Sequence, residues 1–297
     1  MTTHKNQLTI ICQLFYPELI STGQSMTELA EALTDQGLNI TVICGPPTLK
    51  KQTEPIPKEI HYKNIHIKRI WSTRFPKKNF LGKLINHITF SISTINYLLF
   101  TSSKSTILTI TNPPFLPIIC ALINTIKKRP LILKVADVYP ETAIACKLIS
   151  KYSLTAILWK QLNKFVYNNC DKVIVLGRCM KEVILPYLKE RNKKNCEFIP
   201  IWGDDKGIQS SINALSKTKQ ESPYLSKWNL KNKFVCLYSG NLGRFYDIKT
   251  MLDSANQLKN NPDILFLFVG DGHQKKWAQN YAKTHKLSNC IFKDYVP

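Results

Sequence analysis

Between Glu59 and Asp137 the chain has no acidic residue, although that interval carries 12 lysines and arginines. The imbalance is general: 41 basic against 20 acidic residues in 297, a formal charge of +21. A field of one sign attracts polyanions, either a lipid surface or nucleic acid. Richness in Lys, Asn and Ile also fits compositional drift. Other absences exclude more. The nine cysteines are scattered singly and include no C-x-x-C pair, which excludes a disulfide framework or a zinc site and suits a reducing cytoplasm. The six histidines show no ligand spacing and no Asp-x-Asp occurs, so neither a metal nor a cofactor is expected. Neither a Walker loop nor a G-x-G-x-x-G is present, which leaves ATPase and dehydrogenase readings unsupported. No basic motif is interleaved with aromatics, so nucleic acid is not the expected partner. The first apolar run is short, stops at Gln13 and has no small-residue cleavage site, unlike a signal peptide.

What is there alternates. Buried-strand patterns at 8–14, 38–44, 65–70, 106–110, 130–135 and 172–177 are separated by helical ones. After a polar linker the alternation restarts, with strands near 233–239 and 263–269. The expected fold class is therefore α/β, two doubly wound parallel-sheet domains. The expected boundaries are 1–205, a linker at 206–225, and an incomplete second domain at 226–297. The segment 80–100 has apolar residues at helical spacing, interrupted by Lys83, Asn86, His87 and Asn96. That argues against a spanning helix and favours a core-facing helix or one lying on lipid.

Ligands of doubly wound sheets bind beyond the carboxyl ends of the strands. The loops expected there are "FYPELISTGQS" with Gly23, "TNPPF", "ADVYPE", "GNLGR" and "GDGHQ". The turns Gly240-Asn241-Leu242-Gly243-Arg244 and Gly270-Asp271-Gly272 fit close approach of backbone N–H groups to phosphate, with Arg244 as an added cation. Asp137 ends the acid-free interval at a strand end. It either caps a turn or accepts a proton from a substrate hydroxyl.

The segments "LFYPELISTGQSMTELAEALTDQGLNITVICGPP", "TNPPFLPIICALI", "PLILKVADVYPETA", "FIPIWGDD" and "LYSGNLGRFYDIKTML…FLFVGDG" together resemble glycosyltransferase family 4, in its colanic-acid and amino-sugar-transferase branch. The resemblance implies a GT-B fold and metal-independent, retaining transfer from a nucleotide-sugar donor. The acceptor it implies is lipid-linked or glycan, and the enzyme would be peripheral on the inner, cytoplasmic membrane face. Asp137 would sit near the reacting centre. Gly23, Gly240, Asn241, Gly243, Arg244, Lys249, Gly270, Asp271 and Gly272 would hold the donor. Lys77, Lys78, Lys83, Leu84 and Ile88 would meet the acceptor and an anionic membrane surface. Two departures stand out. Tyr246 and Asp247 fall where the family has a lysine and then a glycine, so Arg244 or Lys249 would supply the cation. The family's paired glutamates, seven residues apart late in the second domain, are missing; Glu182 and Glu190 have that spacing but lie before the linker. The expectation is a C-terminally truncated copy, impaired unless a second polypeptide supplies the rest. The alternatives are a non-catalytic membrane-associated remnant or subunit, and a sugar-nucleotide epimerase on the same fold.

Overall fold

A computed structural model describes residues 6–18, 21–47, 57–75, 80–203, 208–210, 212–213, 222–244 and 246–296. Lys77 and Lys78 lie outside these. The chain divides into two compact units, Met1–Trp202 and Gly203–Pro297.

In the first unit the strands are β1 (Gln7–Ile11), β2 (Asn39–Cys44), β3 (Glu59–Tyr62), β4 (Ile65–Arg69), β5 (Thr106–Ile110), β6 (Leu131–Val135), β7 (Lys172–Val175) and β8 (Cys196–Phe198). They form one sheet in the order β3-β4-β2-β1-β5-β6-β7-β8. All pairs are parallel except β3 with β4. The expected strands are present; 106–110 has the expected bounds and others are shorter, the first stopping at Ile11, not at residue 14. β3 and β8 were not anticipated. β3 is hidden in a hairpin whose two-residue turn, Lys63 (φ 46°) and Asn64 (φ 62°), is left-handed throughout, as a type I′ turn requires.

The unit's helices are α1 (Ser21–Asp35), α2 (Phe80–Phe100), α3 (Leu116–Lys127), α4 (Glu141–Ala145), α5 (Leu154–Asn168) and α6 (Arg178–Ile184). Period-two alternation sorts the core onto two faces. Ile10, Leu108 and Ile110 pack with Met26 and Ala30 of α1. Ile11, Ile107, Leu133 and Val135 pack with Phe90 of α2, Leu116 and Cys120 of α3, and Val166 of α5. From β1 the chain runs outward through β2 and β4, then returns to β5 on the other side of β1. The switch point is therefore between β1 and β5, and the loops after β1, β5 and β6 flank it.

The second unit holds β9 (Phe234–Ser239), β10 (Ile264–Val269) and β11 (Cys290–Lys293), all parallel, in the order β11-β10-β9. Its helices are α7 (Pro223–Lys227), α8 (Ile248–Gln257) and α9 (Lys275–Thr284). α7 begins inside the expected linker. Phe266 and Phe268 pack on Leu252 of α8 and Ala278 of α9, while Leu265 and Leu267 face Leu230. β9 is an edge strand, with Phe234 70% and Leu237 60% exposed.

Candidate active site

In the first unit the site forms around the loop after β6. The Thr111 hydroxyl oxygen, at the end of β5, accepts N–H bonds from Ala136 (3.0 Å) and Asp137 (3.1 Å). The loop is thus set against its neighbour by backbone donors, and the Asp137 carboxylate is left for other work. Asp137 keeps an open face to solvent. Protein nonetheless crowds its carboxyl from the other side, and this desolvation pushes its pKa up; Lys83 partly opposes the shift.

Asp137, Thr111, Tyr139 and Trp159 line a small cavity. It shares Pro114, Tyr139 and Trp159 with an adjoining groove of about 350 Å³. The groove walls are apolar, including Leu84, Phe115, Pro140 and Trp159, and α2 contributes Lys83 and His87 to it. Phe115 and Trp159 meet with ring centroids 5.4 Å apart. Burial, reinforced by the Lys83 charge, pushes His87 down to about 4, so it is a neutral donor and acceptor at neutral pH.

α2 therefore has three jobs. Phe90 and Leu98 are in the core. Lys83, Leu84 and His87 line the groove. Leu81 (69% exposed), Ile85, Ile88 and Ile92 form an outward apolar stripe at helical spacing. The group expected to act together is thus divided: Ile88 is on the stripe, Lys83 and Leu84 are in the groove.

Gly23 is buried in the first turns of α1. A Cβ there would lie 2.9 Å from the Cβ of Glu18, so its immediate constraint is packing of the loop after β1 against the helix. Lys134 of β6, which sequence reasoning missed, meets α1 and the segment after β8. Lys134 is 4% exposed, donates to the Ser25 hydroxyl (3.2 Å) and lies 4.6 Å from the centre of the Trp202 ring. Burial pushes its pKa down.

In the second unit the two glycine turns are stitched together. Leu242 N–H donates to the Asp271 carbonyl and Gln274 N–H to the Leu242 carbonyl, each at 2.9 Å. Gly240, Gly270 and Gly272 have φ of 153°, 143° and 152°, values that disfavour any side chain. Around the Gly240 Cα the space is open; Gly270 and Gly272 are packed against the facing turn. Gly243 and Asn241 are close neighbours, and Gly243 is buried.

The cations separate clearly. Lys249 is bound to Asp253 at 2.6 Å, four residues on along α8. Arg244 is exposed, and among the described residues its partner is the His273 ring at 3.5 Å. Asp247 caps α8 by accepting from Thr250 N–H (3.1 Å). Lys275, also missed, bonds the Gly270 carbonyl and Asp294, each at 2.6 Å, and so ties the second turn to β11's end. Glu182 and Glu190 are exposed, and Glu190 pairs with Lys193. Among the described residues no three His, Cys, Asp or Glu gather around a possible metal site. No described helix is long and apolar enough to cross a membrane.

Residues 205–297 match the family model described as Glycosyl transferases group 1. The chain is similar to "Probable glycosyltransferase WbjE" of Pseudomonas aeruginosa, 29% identical over 162 residues, covering 54% of this chain and 38% of that protein. It is also similar to WcaI of Escherichia coli K12, a protein named for glycosyl transfer in colanic acid biosynthesis: 26% over 129 residues, 42% of this chain and 29% of that one. These alignments thus span well under half of either relative. Among solved structures, Anabaena HepE with UDP and glucose superposes with a TM-score of 0.63 at 14% identity, covering 98% of this chain and 70% of that one. WaaG, a glycosyltransferase of lipopolysaccharide biosynthesis, gives 0.59 at 11% identity, with coverage of 97% and 70%. At such identities the likeness is one of fold. The architecture is GT-B: two Rossmann-like α/β units, the first with an eight-stranded sheet, the second with three parallel strands.

Proposed function

We propose that the chain is the nucleotide-sugar glycosyltransferase portion of a family 4 enzyme of surface-polysaccharide biosynthesis, acting on a lipid-linked acceptor. The observation that carries this is the position of Asp137. It stands at a strand end beside the switch point, its carboxyl pKa raised, next to an apolar groove that α2 supplies with Lys83 and His87. A carboxylate of raised pKa is suited to accept a proton from an acceptor hydroxyl. The groove's walls suit a lipid chain, and Lys83 suits the anionic group joining chain to sugar. The outward stripe of α2 suits the membrane surface from which such an acceptor is drawn.

The donor belongs to the second unit. HepE is a protein whose structure holds UDP and glucose; here the open Gly240 and the exposed Arg244 are the features that suit a nucleotide diphosphate. The reading includes retention of anomeric configuration and no metal, the leaving diphosphate being stabilised by Arg244 and turn N–H groups. The test is transfer from a panel of labelled nucleotide sugars to polyprenyl-diphosphate sugar, with and without EDTA. The product anomer is then read by NMR. No transfer with any donor, even after the chain is supplemented with the C-terminal part of a relative, sinks the reading.

A second reading has its own observation. β9 is an edge strand with Phe234 and Leu237 exposed, a surface that suits strand addition by another polypeptide. On that reading the chain is one half of a split transferase, and turnover needs the partner.

A further inference from the structure

A second concave surface, separate from the Asp137 groove, is lined in part by residues of the acid-free interval. Pro46 and Pro47, just after β2, Lys58, just before β3, and the segment from the end of β4 to Arg74 line a cleft of about 430 Å³, within the range of small-molecule sites. It opens beyond the carboxyl ends of β2 and β4, the side on which doubly wound sheets bind ligands. Lys58, Arg69 and Arg74 line it, together with Trp71 and the pair Pro46 and Pro47.

Its cations meet no carboxylate among the described residues. Arg69 is 8% exposed, and its guanidinium donates to two carbonyl oxygens, Pro57 at 3.0 Å and Tyr16 at 3.1 Å. Its Nε is buried with no hydrogen-bond partner. No carboxylate pairs with Lys58, Arg69 or Arg74 among the described residues; the nearby Glu59 is taken by Lys68 at 2.9 Å and His66 at 3.5 Å. Buried positive charge of this kind costs stability unless an anion compensates it. Trp71 is 67% exposed, so a large flat apolar face is held at the mouth of a cationic cleft. A cation set and an aromatic plane recognise a ligand with a ring face and an anionic substituent. Nucleobases and sugars both have faces. A cleft of this size takes one small ring.

We propose that this cleft binds an anionic saccharide, its ring on Trp71 and its carboxylate or phosphate met by Lys58, Arg69 and Arg74. That the saccharide is part of the acceptor rests on the transferase reading; the binding itself does not.

The test measures binding without turnover. Ligand-observed NMR on the full chain would compare methyl glucuronide, glucose 1-phosphate and neutral methyl glucoside. The variants are Trp71→Ala and Arg74→Gln, with Lys68→Gln as the control outside the cleft. Arg69 is left intact because it holds two loops. The two anionic ligands are expected to bind at least about tenfold more tightly than the neutral one. Each cleft variant should lose about tenfold, and Lys68→Gln should lose nothing. Equal binding of charged and neutral sugars, or unchanged binding in both cleft variants, overturns the proposal. So does Trp71- and Arg74-dependent capture by phosphatidylglycerol vesicles without sugar binding, which would make the cleft a membrane contact. Sugar binding by the cleft together with a failure to transfer from any donor leaves the site standing and removes only the transferase reading.

Discussion

A Cβ on Gly270 would lie 2.0 Å from the carbonyl oxygen of Gly240, an impossible contact with backbone. The glycines of the second unit therefore do different work. Gly270 and Gly272 let two strand-end turns close on each other, whereas Gly240 has open space about it. Gly270→Ala should cost about 3 kcal/mol or more, since both φ and contact are wrong, and should unfold the second unit at lower urea. Gly240→Ala meets only the φ penalty, about 1–2 kcal/mol. Urea titrations of the two variants should fall in that order. Equal loss would mean that the turns can separate at little cost.

Asp137 gives a prediction with two readouts. Its folded-state pKa is raised by burial, so the charged form is the one that folding penalises. That penalty is present at neutral pH and disappears as pH falls below the unfolded-state pKa, roughly 4. Asp137→Asn should raise the melting temperature at pH 7.5 by a few degrees and leave it unchanged at pH 3.5. The same change should lower transfer by about 10²–10⁴, the range for loss of a general base. A lower melting temperature at pH 7.5 would show that the carboxylate is held by a favourable partner instead.

His87 has the opposite sign. It is pushed down to about 4, below the roughly 6.5 of an unfolded chain. Protonation thus favours the unfolded state: the histidine's contribution is intact above pH 6.5 and is lost as pH falls toward 4. His87→Gln should flatten the decline in melting temperature between pH 7 and 4.5. Lys83→Met, which removes the adjacent charge, should flatten it partly. A decline as steep in His87→Gln as in the parent chain would assign it to other groups.

Periodicity made the sheet and α2 legible in the sequence, because a face that must be buried repeats every two or 3.6 residues. Short pieces escaped. β3 carries little pattern of its own, and its turn uses Lys63 and Asn64 where glycine is the clearer signal. The strand-end loops were legible because the fold rule says where ligands go, and Asp137 stood out against an acid-free interval. The groove was not, since its walls come from α2, the loops after β5 and β6, and α5. Nor were Lys134 and Lys275. A lysine buried over Ser25 and Trp202, or tied to a carbonyl at a strand end, is written with the same letter as those on the surface. Leu84 and Ile88 are neighbours four residues apart on α2, and only what packs beside them puts the first in the groove and leaves the second exposed.

The outward stripe of α2 can be tested apart from its groove face. Ile85→Glu with Ile88→Glu puts two acids among exposed apolar residues and leaves the core untouched. Co-sedimentation with phosphatidylglycerol vesicles should fall by at least about tenfold, since lost apolar area and lost charge attraction add. The melting temperature should move little. Undiminished sedimentation would place the lipid contact elsewhere.

Arg244 and Lys249 were alternatives for the diphosphate cation, and their surroundings separate them. Lys249 is committed to Asp253, which also accepts from the Tyr281 hydroxyl at 2.7 Å. To reach a phosphate it would first have to leave that pair, an exposed one worth less than about 1 kcal/mol. Arg244 follows the buried Gly243 and, among the described residues, makes one long contact, to His273, so turning to a ligand breaks no short bond there. Arg244→Gln should weaken UDP binding by about tenfold or more and reduce its salt dependence, because a charge-assisted phosphate contact is lost. Lys249→Gln should change UDP affinity by less than about threefold while lowering the stability of α8 slightly. Titration calorimetry at two ionic strengths reads both. A larger loss in Lys249→Gln than in Arg244→Gln would reverse the assignment, and would mean that the Asp253 pair opens when the donor arrives.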